Sequence, residues 1–158
     1  MKALLIIDVQ NGLTSRKLYK KELFFDTINE AIESARSDGD TVIFVQHINK
    51  QLDPKIYSGN IDIRLRKQDD DPVFSKTKGD AFSSPDLVKK LQTLGISDIA
   101  VAGLVSHGCV MHTCQSGLKL GYSISLLHNG HTCWNTNAEE KIVTTESKLK
   151  ILGVNIVA

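Results

Sequence analysis

The stretch IAVAGLVSHGCVMHTCQSGLKLGY, residues 99–122, carries the features that decide the fold. Its apolar start, residues 99–102, predicts a buried strand, and Gly103 ends that run. A helix is predicted over residues 109–120, which places Cys109 at a strand-to-helix turn. The positive end of a helix dipole favours a thiolate, so we expect this thiol to have a lowered pKa. The alternative is that Cys109 is a small buried apolar residue without chemistry.

Strands and helices alternate on both sides of this stretch. The predicted strands are residues 3–9, 41–47, 73–76, 98–102, 122–127 and 154–158. The predicted helices are residues 24–36, 85–94 with Ser84 or Ser83 as cap, 109–120, and 138–152 with Ile142, Val143, Leu149 and Ile151 as candidate inward positions. This alternation is typical of a parallel sheet with right-handed crossovers and helices on both faces. We therefore predict an α/β fold in a single domain, residues 1–158.

The composition narrows the classes of function. The chain has 158 residues, of which 41% are apolar and 23% charged, and its formal net charge is +1. This balance is typical of a globular protein and gives no electrostatic reason to expect nucleic acid or an anionic membrane as a partner. No apolar run approaches the roughly 20 residues of a membrane helix, and the first strand-like run is too short for a signal peptide. We therefore expect a cytoplasmic protein.

Two polar segments separate the predicted elements. Residues 48–72 are rich in Asn, Asp, Lys and Arg, and they form either a lid or binding loop or a solvated insertion that contacts a partner. Residues 128–137 are predicted as a loop that contains His131, Cys133 and Trp134. The chain has three cysteines and no C-x-x-C pair, so neither a disulfide framework nor a zinc site is expected.

Three polar residues fall at the carboxyl ends of predicted strands: Asp8, Lys76 and Cys109. Open α/β sheets bind ligands at this edge. A carboxylate can take the proton of a thiol, and an ammonium beside them reduces the repulsion between two anions. Each residue also has a structural interpretation, since Asp8 suits a turn and a lone lysine is usually a solvated surface charge.

Four motifs make the sequence resemble the isochorismatase-like cysteine hydrolase family, which includes nicotinamidases and other amidohydrolases. The first strand ends in D-V-Q-N, residues 8–11, and K-T-K-G-D-A-F spans residues 76–82. The turn G-L-V-S-H-G-C-V spans residues 103–110, with Ser106 where the family usually has threonine. The following helix continues through Thr113 to Gly121 and Tyr122. The order and spacing of these motifs match over nearly the whole chain.

The resemblance implies a Rossmann-like three-layer α/β/α fold with a six-stranded parallel sheet. It implies a catalytic triad of Asp8, Lys76 and Cys109, and a cis peptide bond between Leu104 and Val105. The N–H groups of Val105 and Cys109 would then form the oxyanion hole. The implied reaction is cleavage of a C–N bond in a small amide through a thioester on the cysteine. Homo-oligomers, dimers or larger, are also expected.

The substrate site and the metal are less directly implied. We expect Gln10, Phe82, Ser106 and Trp134 to line the substrate pocket. Nicotinamidases of this family bind a metal through an Asp-x-His pair and further histidines, whereas this chain has only His47 at the equivalent position. We therefore predict no metal and no cofactor, and we disfavour nicotinamide as a substrate. The isochorismatases proper do not use a cysteine at the nucleophile position, so Cys109 also disfavours isochorismate. A catalytically idle binding protein and a redox-active thiol protein remain as alternatives.

Overall fold

The computed structural model describes all residues from Met1 to Ala158, and its centre is a six-stranded parallel sheet. The strands are β1 (Lys2–Ile7), β2 (Thr41–His47), β3 (Val73–Lys76), β4 (Asp98–Leu104), β5 (Ser123–Thr132) and β6 (Asn155–Val157), in the spatial order β3-β2-β1-β4-β5-β6. The helices are α1 (Asn11–Thr14), α2 (Lys21–Ser37), α3 (Pro85–Thr93), α4 (Met111–Lys119) and α5 (Ala138–Leu152). The predicted six-stranded α/β architecture is confirmed.

Helices cover both faces of the sheet because the strands are apolar on both sides. On β1, Leu4 and Ile6 pack in one core cluster with α2, and Leu5 and Ile7 pack in a second cluster with α3, α4 and α5. The chain proceeds outward from β1 to β3 on one side and from β4 to β6 on the other. The order therefore reverses between β1 and β4, and the crevice at their carboxyl ends is where sheets of this kind bind ligands.

Gly103 sits where β4 passes closest to β1. Its φ is +131°, and an added Cβ would lie 2.0 Å from the carbonyl oxygen of Ile7. Both the backbone conformation and the space therefore require glycine. Ile7 directly precedes Asp8, so this close approach also sets the position of a predicted catalytic residue.

Four details of the secondary structure differ from the prediction. The strand β5 continues to Thr132, with a register irregularity against β4, so His131 lies in a strand rather than in a loop. Val143 and Ile151 of α5 are 57% and 86% exposed, so their assignment as inward residues is wrong. The short helix α1 was not predicted. Ser84 precedes α3 as predicted, but its side chain makes no capping hydrogen bond.

The segment 48–72 contains only one short 3-10 turn, Tyr57–Gly59, yet it is held by buried contacts. The N–H of Asp62 donates to the carbonyl of Val9 at 2.9 Å. The Asp62 carboxylate accepts a hydrogen bond from the Thr14 hydroxyl at 2.7 Å. Arg36 of α2 forms two hydrogen bonds with Asp71. These contacts fix both the middle and the end of the segment to the helices after β1. None of the helices is long and apolar enough to cross a membrane.

Candidate active site

The side chains of Asp8, Lys76 and Cys109 meet at the carboxyl edge of the sheet. Asp8 directly follows β1, Lys76 is the last residue of β3, and Cys109 lies in the turn after β4. The Lys76 Nζ donates to Asp8 Oδ2 at 3.0 Å and to Cys109 Sγ at 3.3 Å. Residues that are far apart in sequence are therefore in direct contact, as their positions at strand ends predict.

Asp8 is held in an uncommon conformation with one carboxylate oxygen free. Its φ is +59°, in the left-handed region that residues with a side chain rarely adopt, and such strain clusters at functional sites. The Oδ2 atom is bound to Lys76, whereas the buried Oδ1 atom has no hydrogen-bond partner. Burial raises the pKa of Asp8, and the attraction of Lys76 offsets this only in part. A carboxylate with a raised pKa and a free oxygen is suited to accept a proton.

The fully buried Lys76 ammonium has three N–H donors and four acceptors within hydrogen-bond distance. Besides Asp8 and Cys109, it contacts His47 Nδ1 at 2.9 Å and the Lys78 carbonyl at 3.0 Å. An ammonium can only donate, so His47 Nδ1 accepts. Burial and the Lys76 charge lower the pKa of His47, which agrees with a neutral imidazole.

His47 is a site residue that the sequence analysis did not include. It pairs with Lys76 in the register between β2 and β3, so the two side chains stand at the same level of the sheet. The signal available in the sequence was its position as the last residue of a predicted strand. That position was read only as an incomplete metal-binding motif.

Asp8, His47 and Cys109 form the one cluster of potential metal ligands. Their ligand atoms lie within 4.8 Å of one another. The Lys76 Nζ contacts the side chains of all three residues. A divalent cation held by these ligands would therefore compete for the same space with a buried positive charge, at strong electrostatic cost. With Lys76 in this position, the residues do not fit a metal ion.

The pKa of the Cys109 thiol differs from the prediction. Burial, followed by the negative charge of Asp8, raises the pKa of Cys109 to about 11, and Lys76 only partly opposes this. The helix α4 begins at Met111, after an irregular turn over Ser106–Val110 in which Gly108 departs from helical geometry. The expected lowering of the pKa by a helix start is therefore wrong: desolvation and the neighbouring carboxylate dominate.

The raised pKa of Cys109 predicts its alkylation profile. The rate of reaction with iodoacetamide should keep rising by about tenfold per pH unit from pH 7 to 10, because only the thiolate reacts and its fraction grows until the pKa is reached. The measurement is mass-spectrometric labelling of native protein, with Cys109→Ala as the control for the two buried cysteines. A plateau below pH 8 would contradict a neutral resting thiol.

The turn that carries Cys109 has the predicted backbone geometry. The peptide bond between Leu104 and Val105 is cis. The Val105 carbonyl accepts the N–H of Gly108 at 3.0 Å and that of Val110 at 3.3 Å, which closes the turn around Cys109. The assignment of the Val105 and Cys109 N–H groups as oxyanion donors stays a prediction.

Comparison with known proteins assigns the chain to a family. The model of the isochorismatase domain matches residues 2–146. The chain belongs to the isochorismatase family. This membership confirms both the resemblance and the assignment of the chain as a hydrolase. The chain is 28% identical over 152 residues to the isochorismatase family protein YddQ of Bacillus subtilis, covering 91% of this chain and 84% of YddQ.

Two further relatives extend this comparison. Streptothricin hydrolase of Streptomyces noursei is 26% identical over 150 residues, and the match covers 92% of this chain but only 54% of that protein. A crystal structure of an isochorismatase family protein superposes with a TM-score of 0.93 at 25% identity, covering 99% of this chain and 98% of the other. The fold of this isochorismatase-family chain therefore agrees with a solved structure over its full length.

The predicted substrate-binding residues have other partners in this isochorismatase-family protein. The Gln10 amide is fully buried and forms hydrogen bonds to the His47 backbone and the Gly59 carbonyl. Phe82 stacks on Tyr122, with 5.5 Å between ring centroids, and Trp134 lies under the guanidinium of Arg16 at 4.5 Å.

Ser106, the fourth predicted substrate-binding residue, is also engaged within the protein. Its Oγ lies 2.7 Å from Nδ1 of His131. No hydrogen bond joins the side chains of Gln10, Phe82, Ser106 or Trp134 to those of Asp8, Lys76 or Cys109. The substrate contacts of these four residues stay a prediction.

Proposed function

We propose that this protein is a cysteine hydrolase that cleaves the C–N bond of a small amide without a metal ion. The observation that carries the proposal is the Lys76 ammonium bound between the Asp8 carboxylate and the Cys109 sulfur. This arrangement combines a nucleophile, a base with a free oxygen and a fixed positive charge in one buried place. Family membership supports the hydrolase class.

The first half of the proposed reaction forms a thioester. Asp8 accepts the Cys109 proton while the sulfur attacks the amide carbonyl carbon. The carbonyl oxygen becomes an oxyanion, which the N–H groups of Val105 and Cys109 would stabilise. The protonated Asp8 then gives its proton to the leaving nitrogen, the C–N bond breaks and the amine departs.

The second half restores the enzyme. Asp8 accepts a proton from water, and the resulting hydroxide attacks the thioester carbonyl. The C–S bond then breaks, the proton returns to Cys109 and a carboxylic acid is released. The sum is one amide and one water converted into one acid and one amine. The positive charge of Lys76 stabilises whichever neighbour carries the negative charge.

The raised pKa values favour this sequence over attack by a preformed thiolate. A thiol that is neutral at rest loses its proton only in the attacking step, and a carboxylate with a raised pKa takes that proton more readily. The same neutral state speaks against the redox alternative, because oxidation follows thiolate character and exposure. Direct contact within the trio speaks against an idle binding protein.

The substrate itself does not follow from the relatives. Streptothricin hydrolase acts on streptothricin by its name, and this chain spans about half of its length. The substrate class proposed here rests instead on the acid–base pair: a leaving nitrogen needs a proton, and Asp8 can supply one. Small uncharged amides, ureides and carbamoyl compounds are therefore the first candidates.

Release of ammonia or amine from a panel of such compounds tests the proposal. The wild-type protein should hydrolyse at least one compound, whereas Asp8→Asn protein, verified as folded by circular dichroism, should not, because its amide keeps the shape but cannot take a proton. Equal rates for the two proteins would overturn the proposed mechanism. Absence of release across the whole panel would instead favour the binding protein.

A further inference from the structure

A chain of hydrogen bonds runs from the catalytic turn to α5 through the end of β5. The Ser106 Oγ lies 2.7 Å from His131 Nδ1, and His131 Nε2 lies 2.9 Å from Glu146 Oε1. Ser106 directly follows Val105 and precedes Cys109 by three residues. Three elements that are distant in sequence are thus joined at the base of the turn that carries the nucleophile.

The direction of the hydrogen bond between His131 and Glu146 follows from the ionised carboxylate of Glu146. The hydrogen bond from His131 lowers the pKa of Glu146, so Glu146 is an ionised acceptor and His131 Nε2 carries the hydrogen. The other ring nitrogen of His131, Nδ1, pairs with the Ser106 hydroxyl at 2.7 Å. The side chains of Ser106 and His131 are both fully buried, which makes these bonds costly to leave unmade.

The same residue types form nucleophilic triads in other hydrolases, but this set does not act as one. Ser106 is 0% exposed and its hydroxyl is engaged by His131, so it is not available as a nucleophile. The hydroxyl is committed to the imidazole and the imidazole to the carboxylate. What the chain does hold in place is the backbone of the turn.

We propose that Ser106, His131 and Glu146 are positioning residues that fix the catalytic turn, residues 105–109, relative to Asp8 and Lys76. Gly108 lies within this turn with non-helical backbone angles, φ −115° and ψ −116°, and a glycine restrains the backbone less than any other residue. The side chain of Ser106 supplies the missing restraint, because it ties the turn to β5 and α5. The expected effect of this restraint on hydrolysis rests on the proposed function, whereas its expected effect on the reactivity of the Cys109 thiol does not.

The test compares variants that break the chain with variants that preserve it. Ser106→Ala and Glu146→Ala remove one link each. Glu146→Gln keeps an acceptor oxygen for His131 and serves as the conservative rescue. His128→Ala is the matched control: His128 also contacts Glu146 Oε1, at 2.8 Å, but its side chain is 51% exposed and lies outside the chain.

Two readouts separate positioning from general stability. For the amide found by the release assay, Ser106→Ala and Glu146→Ala should lower kcat by about 10- to 100-fold with KM within about twofold, because small misplacement of a reacting group has effects of this size. Glu146→Gln and His128→Ala should stay within about threefold of wild type in kcat. Without any substrate, the rate of Cys109 alkylation by iodoacetamide at pH 9 should differ from wild type by at least about threefold in Ser106→Ala and Glu146→Ala only.

Wild-type kcat and wild-type alkylation rates in folded Ser106→Ala protein would overturn the positioning role. Ser106→Ala removes a single oxygen and is the variant least disturbing to the fold, so it decides the matter even if Glu146→Ala does not fold. If no amide is hydrolysed by the wild-type protein, the proposed function fails, and the alkylation comparison still decides whether the chain positions Cys109.

Discussion

Cys109→Ala protein should fold normally and hydrolyse its amide substrate on the order of 10⁴-fold more slowly than wild type, as kcat/KM. The sulfur is the only protein atom in the proposed cycle that bonds to the carbonyl carbon of the substrate, so no neighbouring group can replace it. The Asp8 and Lys76 pair remains intact in this variant, and the loss of one half-buried thiol leaves no charge uncompensated. The measurements are kcat/KM from amine release and the free energy of unfolding in urea.

Cys114→Ala is the matched control for this experiment. Cys114 is fully buried in the core cluster beneath α4, where desolvation raises the pKa of its thiol to about 12. Its loss should cost about 1 kcal/mol in the free energy of unfolding and change kcat/KM by less than about twofold. Comparable activity of the Cys109→Ala and wild-type proteins would show that another residue is the nucleophile.

Gly103→Ala should lower the free energy of unfolding by about 3 kcal/mol or more. The new Cβ would meet the Ile7 carbonyl at 2.0 Å, within the paired strands β1 and β4, where neither backbone can move away independently. Since Ile7 precedes Asp8, any molecules that fold should also lose activity. Urea unfolding of wild-type and variant protein measures the effect.

Gly153→Ala separates the collision from the cost of the backbone conformation. Gly153 also has a positive φ, +109°, but an added Cβ there meets nothing within 4 Å. Its replacement should cost about 1 kcal/mol, from conformation alone. If the two variants lose the same stability, the close approach of β4 to β1 is not what requires glycine at position 103.

The parts of this molecule that sequence patterns predicted are those with local causes. Continuous apolar runs identify buried strands and their carboxyl ends, which makes Asp8, Lys76 and Cys109 candidates, and the resemblance to the family implies them as a triad. The motifs around them added the cis peptide bond at Val105. These features depend on a few neighbouring residues and on the alternation of elements along the chain.

The parts that were missed depend on tertiary surroundings. The pKa of Cys109 was expected to fall from its place near a helix start, but burial beside Asp8 decides it. His47 ends a predicted strand, but its contact with Lys76 depends on the register between β2 and β3, which no local pattern reports. The apolar residues Val143 and Ile151 have ordinary helical spacing, and only the docked orientation of α5 leaves them exposed.

The contacts of Lys76 have a consequence for the net charge of the buried site during the proposed cycle. At rest the buried trio carries one positive charge on Lys76 and one negative charge on Asp8, with the thiol of Cys109 neutral. After attack, the proton rests on Asp8 and the negative charge on the substrate oxyanion, so the trio and the substrate together again carry no net charge. No net charge enters or leaves the low-dielectric interior at any step, which removes the largest electrostatic cost that such a reaction could meet. Electroneutrality of the trio together with the substrate therefore favours uncharged reacting groups and predicts a chemical step that is insensitive to ionic strength.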